Sequence, residues 1–252
     1  MSQGAVEAVD GNVTGYQPGD EVFGVCSGSF AEYARAAEDK VAPKPANLTF
    51  EQAAAVPISA CTALQSLRDE GKVQAGQRVL ILGAAGGVGT FAVQLAKAFD
   101  AEVTGVCSTT KVDLVRSVGA DDVIDYTRSD FADGRRHYDL ILDAAGRRSL
   151  SHLRRALTPK GTLVIIGGEG GGLWLGGFDR SFRASMLSPF VRQKLSMLIS
   201  TERQEDLQFL RDLIEVGKVM PVIDRTYSLA EVPSAIRYLH EGRARGKVVI
   251  TM

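Results

Sequence analysis

After an apolar run, Val79-Leu80-Ile81-Leu82, the chain reads Gly83-Ala84-Ala85-Gly86-Gly87-Val88-Gly89 and then continues as a helix-like segment. Where no Cβ intrudes, a backbone can close on a pyrophosphate, and the free N–H groups that open a helix then face the anion. Ala84 stands where the G-x-G-x-x-G pattern has its first glycine. It is therefore the placement after a strand and before an amphipathic helix that makes Ala85, Gly86, Gly87 and Val88 a candidate dinucleotide cradle. The competing reading is a tight turn where helix and strand pack closely.

Which nucleotide the cradle would take depends on the next strand. Sites selective for NADH commonly offer an acidic residue about 20 residues beyond the glycines, to hold the ribose hydroxyls. Counting 19 residues from Gly89 reaches Ser108, and no Asp or Glu lies between Val103 and Val112. Ser108-Thr109-Thr110-Lys111 instead offers hydroxyls and a cation, which suit a 2′-phosphate carrying about −1.5 to −2 charges. NADPH is the expected cofactor. Lys111 has an alternative role as a solvent-facing residue opening the next helix.

Other chemistries find little support in the text. Cys26, Cys61 and Cys107 are scattered, form no C-x-x-C pair, and are expected as reduced thiols buried in or beside a strand. His137, His152 and His240 lie at least 15 residues apart with no cysteine at ligand spacing, so no metal site is expected. None of the six tyrosines has lysine four residues later, which excludes the Tyr-x-x-x-Lys pair of the short-chain dehydrogenases.

The elements that must position the cradle follow from periodicity. From Gln77, short apolar strands alternate with helical patterns: RVLIL, VQLAK, EVTGVC, VDLVRSVG, DVIDY, DLILDAA, SLSHLRRAL and TLVIIGG. This rhythm predicts a doubly wound parallel sheet over about 57–201, its continuous apolar strands buried on both faces. Val88, Phe91, Ala92, Leu95 and Phe99 form the buried stripe of the first helix. Residues 1–56 hold β-like pieces, GAVEAV, DEVFGV and FAEYARA, with turn signals at Gln17-Pro18-Gly19-Asp20 and Pro43-Lys44-Pro45. They read as parts of an antiparallel unit. Residues 202–252 offer a helix in EDLQFLRDLIEVG, a strand in PVIDRTYSL, a helix in AEVPSAIRYLHEG and a last strand in GKVVITM. The glycine-rich segment 167–177 follows a strand end, where ligands of open α/β sheets gather. Trp174 there is read as a cleft wall or a subunit contact, with a plain linker as the alternative.

The runs AAGGVGTFAVQLAKAFDAEVTGVCST, LVRSVGADDVIDY and ARGKVVI together resemble the medium-chain dehydrogenase/reductase superfamily, in its zinc-independent quinone oxidoreductase branch. The likeness runs from about Gly4 to Met252, with its segments in family order. It implies a Rossmann domain inserted into a GroES-like, mainly antiparallel β domain, here partial. It also implies NADPH in the cleft and a homodimer. By resemblance, Ala85, Gly86, Gly87 and Val88 take the pyrophosphate and Ser108 with Lys111 the 2′-phosphate. Tyr126 then packs near the adenosine end, Thr62 reaches the nicotinamide side, and Arg245, Gly246 and Lys247 close the cleft. Tyr126 as a packing residue and Thr62 as a capping hydroxyl stay open. The zinc-dependent relatives have a cysteine where this chain has Ile58, and a glycine-histidine-glutamate motif that is absent here. Zinc is not expected. Family members carry roughly 70 further residues before the point matching Gly4, a part of the catalytic β domain expected to be missing here. Unpaired strand edges would then favour association or disorder.

The resemblance implies direct hydride transfer from NADPH to a quinone or an α,β-unsaturated carbonyl. This chemistry rests on positioning and exclusion of water, and no catalytic acid is identifiable. A non-catalytic NADPH-binding or scaffold protein is the alternative, motivated by the incomplete β domain. A net charge of −1 gives no field to draw nucleic acid or an anionic membrane, and pairs such as Arg135-Arg136 and Arg154-Arg155 read as solvated surface. No apolar run reaches the roughly 18 residues of a membrane span, and the N-terminus lacks a secretory pattern, so a cytoplasmic location is expected.

Overall fold

A computed structural model describes residues 2–166 and 191–251. The glycine-rich segment 167–177 and Trp174 lie outside the described residues. The chain divides into two units, one built from 1–61 and 200–252, the other from 62–199.

In the first unit, β1 (Ser2–Ala5), β2 (Glu21–Gly24) and β3 (Val41–Pro43) form an antiparallel sheet in that order. The turn into β2 has Gly19 at φ +96°, and Asp20 accepts the Gln17 N–H at 2.9 Å. Phe23, Val41 and Ala42 are buried. The FAEYARA stretch forms no strand beyond an isolated bridge from Ser27 to Arg35, and Phe30 and Tyr33 are 60 % and 73 % exposed. Those aromatics are three residues apart, so a strand would send them to opposite faces and no single buried face could collect both.

Helix α1 (Phe50–Ala54) starts from a reciprocal cap between Thr49 and Gln52, and α2 (Pro57–Gln65) begins on a proline that needs no N–H there. The division between units falls within α2. Cys61 lies buried on this helix, not in or beside a strand, because Ala60, Cys61, Ala63 and Leu64 make a continuous apolar surface.

The second unit holds the parallel sheet. Its elements are β4 (Arg78–Leu82), α3 (Gly87–Ala98), β5 (Glu102–Cys107), α4 (Val112–Ser117), β6 (Asp122–Asp125), β7 (Tyr138–Asp143), α5 (Leu150–Arg155), β8 (Leu157–Ile166) and β9 (Lys194–Leu198). Strand order is β6-β5-β4-β7-β8-β9, every pair parallel. Val79, Leu80, Ile81 and Leu82 are buried in succession, as are Leu140, Ile141 and Leu142, which is the mark of strands covered on both faces. Each such side chain contributes roughly 1.5–3 kcal/mol relative to exposure. β8 begins five residues earlier than the apolar TLVIIGG run, with an irregularity opposite Tyr138 and Leu140. β9 carries no strand signal of its own: only Leu195 of its five residues is buried, and pairing with β8 defines it.

The chain then returns to the first unit through α6 (Gln204–Glu215), β10 (Ile223–Ser228), α7 (Val232–His240) and β11 (Lys247–Thr251). Leu207, Leu210 and Ile214 are fully buried, one stripe at helical spacing. As expected, the strands of this unit are mainly antiparallel, in β1, β2 and β3, but the β10–β11 pair is parallel. The physical reason is α7, which carries the chain back to the starting end so that both strands run the same way.

Candidate functional site

The second unit changes direction between β4 and β7. From β4 the chain builds outward through β5 and β6, then comes back to start β7 on the other side of β4. Loops leaving the carboxyl ends of β4 and β7 therefore diverge, and the crevice between them is where open α/β sheets bind ligands.

Gly83 to Gly86 leave β4 in this crevice. Gly83 takes φ +77°, a conformation that strains any side chain, and its N–H and that of Ala84 donate to Val106 O at 3.2 and 3.1 Å. A Cβ on Gly89 would meet Gly83 O at 2.1 Å and Ala84 Cα at 2.7 Å, so the first turn of α3 sits directly on the loop. A Cβ on Gly86 would meet Gly83 O at 3.2 Å. Ala84 fits where a glycine is usual because its neighbour across β5 is Gly105, whose added Cβ would lie 3.1 Å from the Ala84 methyl. Two small residues thus share one space.

α3 starts from Gly86 with no side-chain cap, and Thr90 N–H is the first to bond back, to Gly86 O at 3.0 Å. The N–H groups of Gly87, Val88 and Gly89 precede that first intrahelical bond. Ala84, Ala85 and Gly89 are buried, while Gly86, Gly87 and Val88 are partly exposed. Backbone without a Cβ at Gly86 and Gly87, a helix positive end and access coincide over Gly86 to Val88, which fits a pyrophosphate.

On the other wall, Asp143 ends β7 fully buried and accepts the N–H groups of Ala145 and Gly146 at 3.2 and 3.0 Å. That loop passes the cradle closely: a Cβ on Gly83 would be 3.4 Å from Ala144 C and Ala145 N.

Ser108 and Lys111 follow β5, the strand beside β4. They bracket a single 3₁₀ turn, Thr109–Lys111, closed by Lys111 N–H donating to Ser108 O at 2.9 Å. Tyr126 follows β6, is exposed, and donates its N–H to Cys107 O at 3.1 Å. The cradle, Ser108, Lys111 and Tyr126 therefore occupy the carboxyl ends of three adjacent strands.

An acidic group missing from the text around Ser108 is supplied by the fold. Asp125, the last residue of β6 and the register partner of Cys107, accepts the Thr109 hydroxyl at 2.6 Å. The same carboxylate accepts the Thr127 hydroxyl at 2.7 Å and N–H at 2.9 Å, with Arg128 Nε 3.6 Å away. The Thr109 hydrogen bond, followed by those from Thr127 and the charge of Arg128, holds the Asp125 carboxyl below the usual range. Sequence reading missed Asp125 because its partner is 16 residues away and only strand pairing brings them together. Burial first, and the Asp125 charge second, push the neighbouring Cys107 thiol up to about 11.

Thr62 is buried on α2, with its carbonyl accepting the Ser66 hydroxyl at 2.6 Å, and is not on these strand ends. Arg245, Gly246 and Lys247 belong to the other unit. Gly246 has φ +121° and a Cβ there would lie 2.5 Å from Val222 O, so only glycine makes that turn. Arg245 N–H donates to Asp224 at 3.0 Å, and Lys247 Nζ donates to the Ser59 hydroxyl at 2.8 Å. The Arg154 pair is not simply solvated, since Arg154 Nε reaches the partly buried Gln193 at 2.9 Å.

Comparison with known proteins gives the family and the fold. A family model described as zinc-binding dehydrogenase matches residues 118–250. The chain is 36 % identical over 98 % of its length to a 2-methylene-furan-3-one reductase of Solanum lycopersicum. It is 35 % identical over 98 % of its length to an NADPH-dependent alkenal/one oxidoreductase, chloroplastic, of Arabidopsis thaliana. It spans 61 % of the length of each of these relatives. Among solved structures, the quinone oxidoreductase from Coxiella burnetii superposes with a TM-score of 0.85 at 27 % identity, over 99 % of this chain and 77 % of that one.

Proposed function

We propose, on the premise that this chain belongs to the zinc-binding dehydrogenase family and to the quinone oxidoreductase-like branch of the medium-chain dehydrogenase/reductase superfamily, that it binds NADPH and reduces a quinone or an α,β-unsaturated carbonyl. The observation that carries this is an uncapped, glycine-lined helix start with a hydroxyl and a cation on the neighbouring strand end. The names of the relatives point the same way: an enone reductase, an NADPH-dependent alkenal/one oxidoreductase and a quinone oxidoreductase.

Ala85, Gly86, Gly87 and Val88 would hold the pyrophosphate through backbone N–H groups. Ser108 and Lys111 would take the 2′-phosphate, with Tyr126 against the adenosine end. Thr62, Arg245, Gly246 and Lys247 are cofactor contacts by resemblance alone. When bound, NADPH supplies the hydride. The protein residues orient the dinucleotide through N–H donors that are already fixed in the fold, so little reorganisation accompanies binding.

A reaction without zinc is part of this reading. Among the described residues no group of three or more His, Cys, Asp or Glu could hold a metal. His152 is turned to Asp130 at 2.8 Å and to Arg155 at 3.1 Å. Reduction without a metal is the reading these residues support.

Titration with NADPH followed by fluorescence, then an absorbance assay of NADPH consumption against a panel of quinones and enones, tests the proposal. Saturable binding with consumption supports it. Binding with no consumption across the panel supports a nucleotide-binding role without turnover, and absence of binding defeats both.

A further inference from the structure

We infer that Asp125, through Thr109, is a positioning residue for the 2′-phosphate site, an inference that rests on reading Ser108 and Lys111 as the contacts to that phosphate. Three observations lead to it. Ser108 and Lys111 stand at the two ends of one short turn, with Thr109 between them, and an exposed turn of this kind has little to hold it. The Thr109 hydroxyl is committed to Asp125 at 2.6 Å, so it anchors the turn and is not a donor to a ligand. Asp125 is in turn held on its own loop by Thr127 and Arg128, so one carboxylate joins the loop after β5 to the loop after β6.

A carboxylate this close to a phosphate site would ordinarily oppose a second anion. Here its charge is drawn into three hydrogen bonds and faced by Arg128, whose side chain is 74 % exposed while that of Asp125 is 13 % exposed. The arrangement places the Asp125 anion inward and the Arg128 cation outward on one of the two joined loops, with Lys111 on the other. Loss of the tether frees the turn and leaves Asp125 with one donor fewer. Both consequences weaken binding of the phosphorylated cofactor and leave the unphosphorylated one nearly untouched.

The test compares dissociation constants of NADPH and NADH for the full chain and four variants. Thr109→Val removes the hydroxyl at nearly constant shape and is expected to weaken NADPH about fivefold, with NADH changed by less than about twofold, the scale of one charge-assisted hydrogen bond at an exposed position. Thr109→Ser restores the hydroxyl and is expected to restore the NADPH to NADH affinity ratio, which a packing role for the methyl group would not do. Asp125→Ala is expected to lower the ratio as well. A raised ratio in Asp125→Ala would identify the carboxylate as a repulsive group and overturn the inference, as would equal loss of both cofactors or an unchanged ratio in Thr109→Val. Lys111→Ala separates the two levels. A ratio that falls in Lys111→Ala but not in Thr109→Val overturns the positioning role alone, while a ratio unchanged in Lys111→Ala removes the phosphate reading and the inference with it.

Discussion

Lys247 Nζ donates to the Ser59 hydroxyl at 2.8 Å, joining the first residue of the last strand to the first turns of α2. Burial pushes the ammonium down to about 8 from 10.5. Below about pH 8 the lysine is protonated in both folded and unfolded states, and the folded protein carries a constant desolvation cost. Between 8 and 10.5 the unfolded chain holds a proton the folded one has released, so stability rises with pH, by about 3 kcal/mol in total. Urea unfolding of wild type and Lys247→Met across that window checks this: the wild type is expected to gain on the variant as pH rises, and parallel curves would refute it.

Gly89 cannot carry a side chain without moving backbone, because its Cβ would fall 2.1 Å from Gly83 O. Gly89→Ala is expected to cost about 1–3 kcal/mol of stability and to weaken dinucleotide binding by more than tenfold, since the N–H groups of the cradle move with the loop. Gly11, with nothing within 4 Å of an added Cβ, is the control. Thermal unfolding and cofactor titration of Gly89→Ala and Gly11→Ala give the comparison.

Asp143 is fully buried and satisfies two loop N–H groups. Asp143→Ala leaves both without that acceptor and is expected to cost about 2–4 kcal/mol, with Asp143→Asn costing less because one acceptor oxygen remains. Chemical unfolding of the two variants orders them. An equal loss in both would assign the effect to the charge instead of the acceptors.

Asp121 gives the acid limit a named contributor. Burial alone would raise its carboxyl, but hydrogen bonds from Lys97 at 2.8 Å and from Val103 N–H at 2.7 Å outweigh this and hold it below 3.8. Its contribution is present above 3.8 and is lost as pH falls through the folded value. Asp121→Asn is therefore expected to be less stable than wild type at neutral pH, with the difference closing as acid is added. Unfolding midpoints measured over an acid series show whether it closes.

Much of this was legible because it is local. A strand, a glycine-rich turn and a helix with a buried Phe91, Ala92 and Leu95 are specified within one short stretch, by side-chain size and by helical spacing. The turn at Gly19 and the stripe Leu207, Leu210, Ile214 were readable on the same ground. β9 was not, because its residues carry no alternation and become a strand only by pairing with β8. Cys61 was misplaced for a related reason: a short apolar run looks alike in a buried helix and a buried strand.

By itself the amino-acid sequence determined the glycine-rich turn at Gly83 to Gly89 between a strand and a helix, the lack of an Asp or Glu next to Ser108 along the chain, and the alternation that builds a parallel sheet. Tertiary structure decided what lies across from these residues. It set Ala84 against Gly105, brought Asp125 to Thr109, and ran β10 parallel to β11. The physical reason is range: backbone conformation and helical periodicity act over a few neighbours, whereas the partner of a hydrogen bond or a strand is chosen by pairing between segments that the chain order leaves far apart.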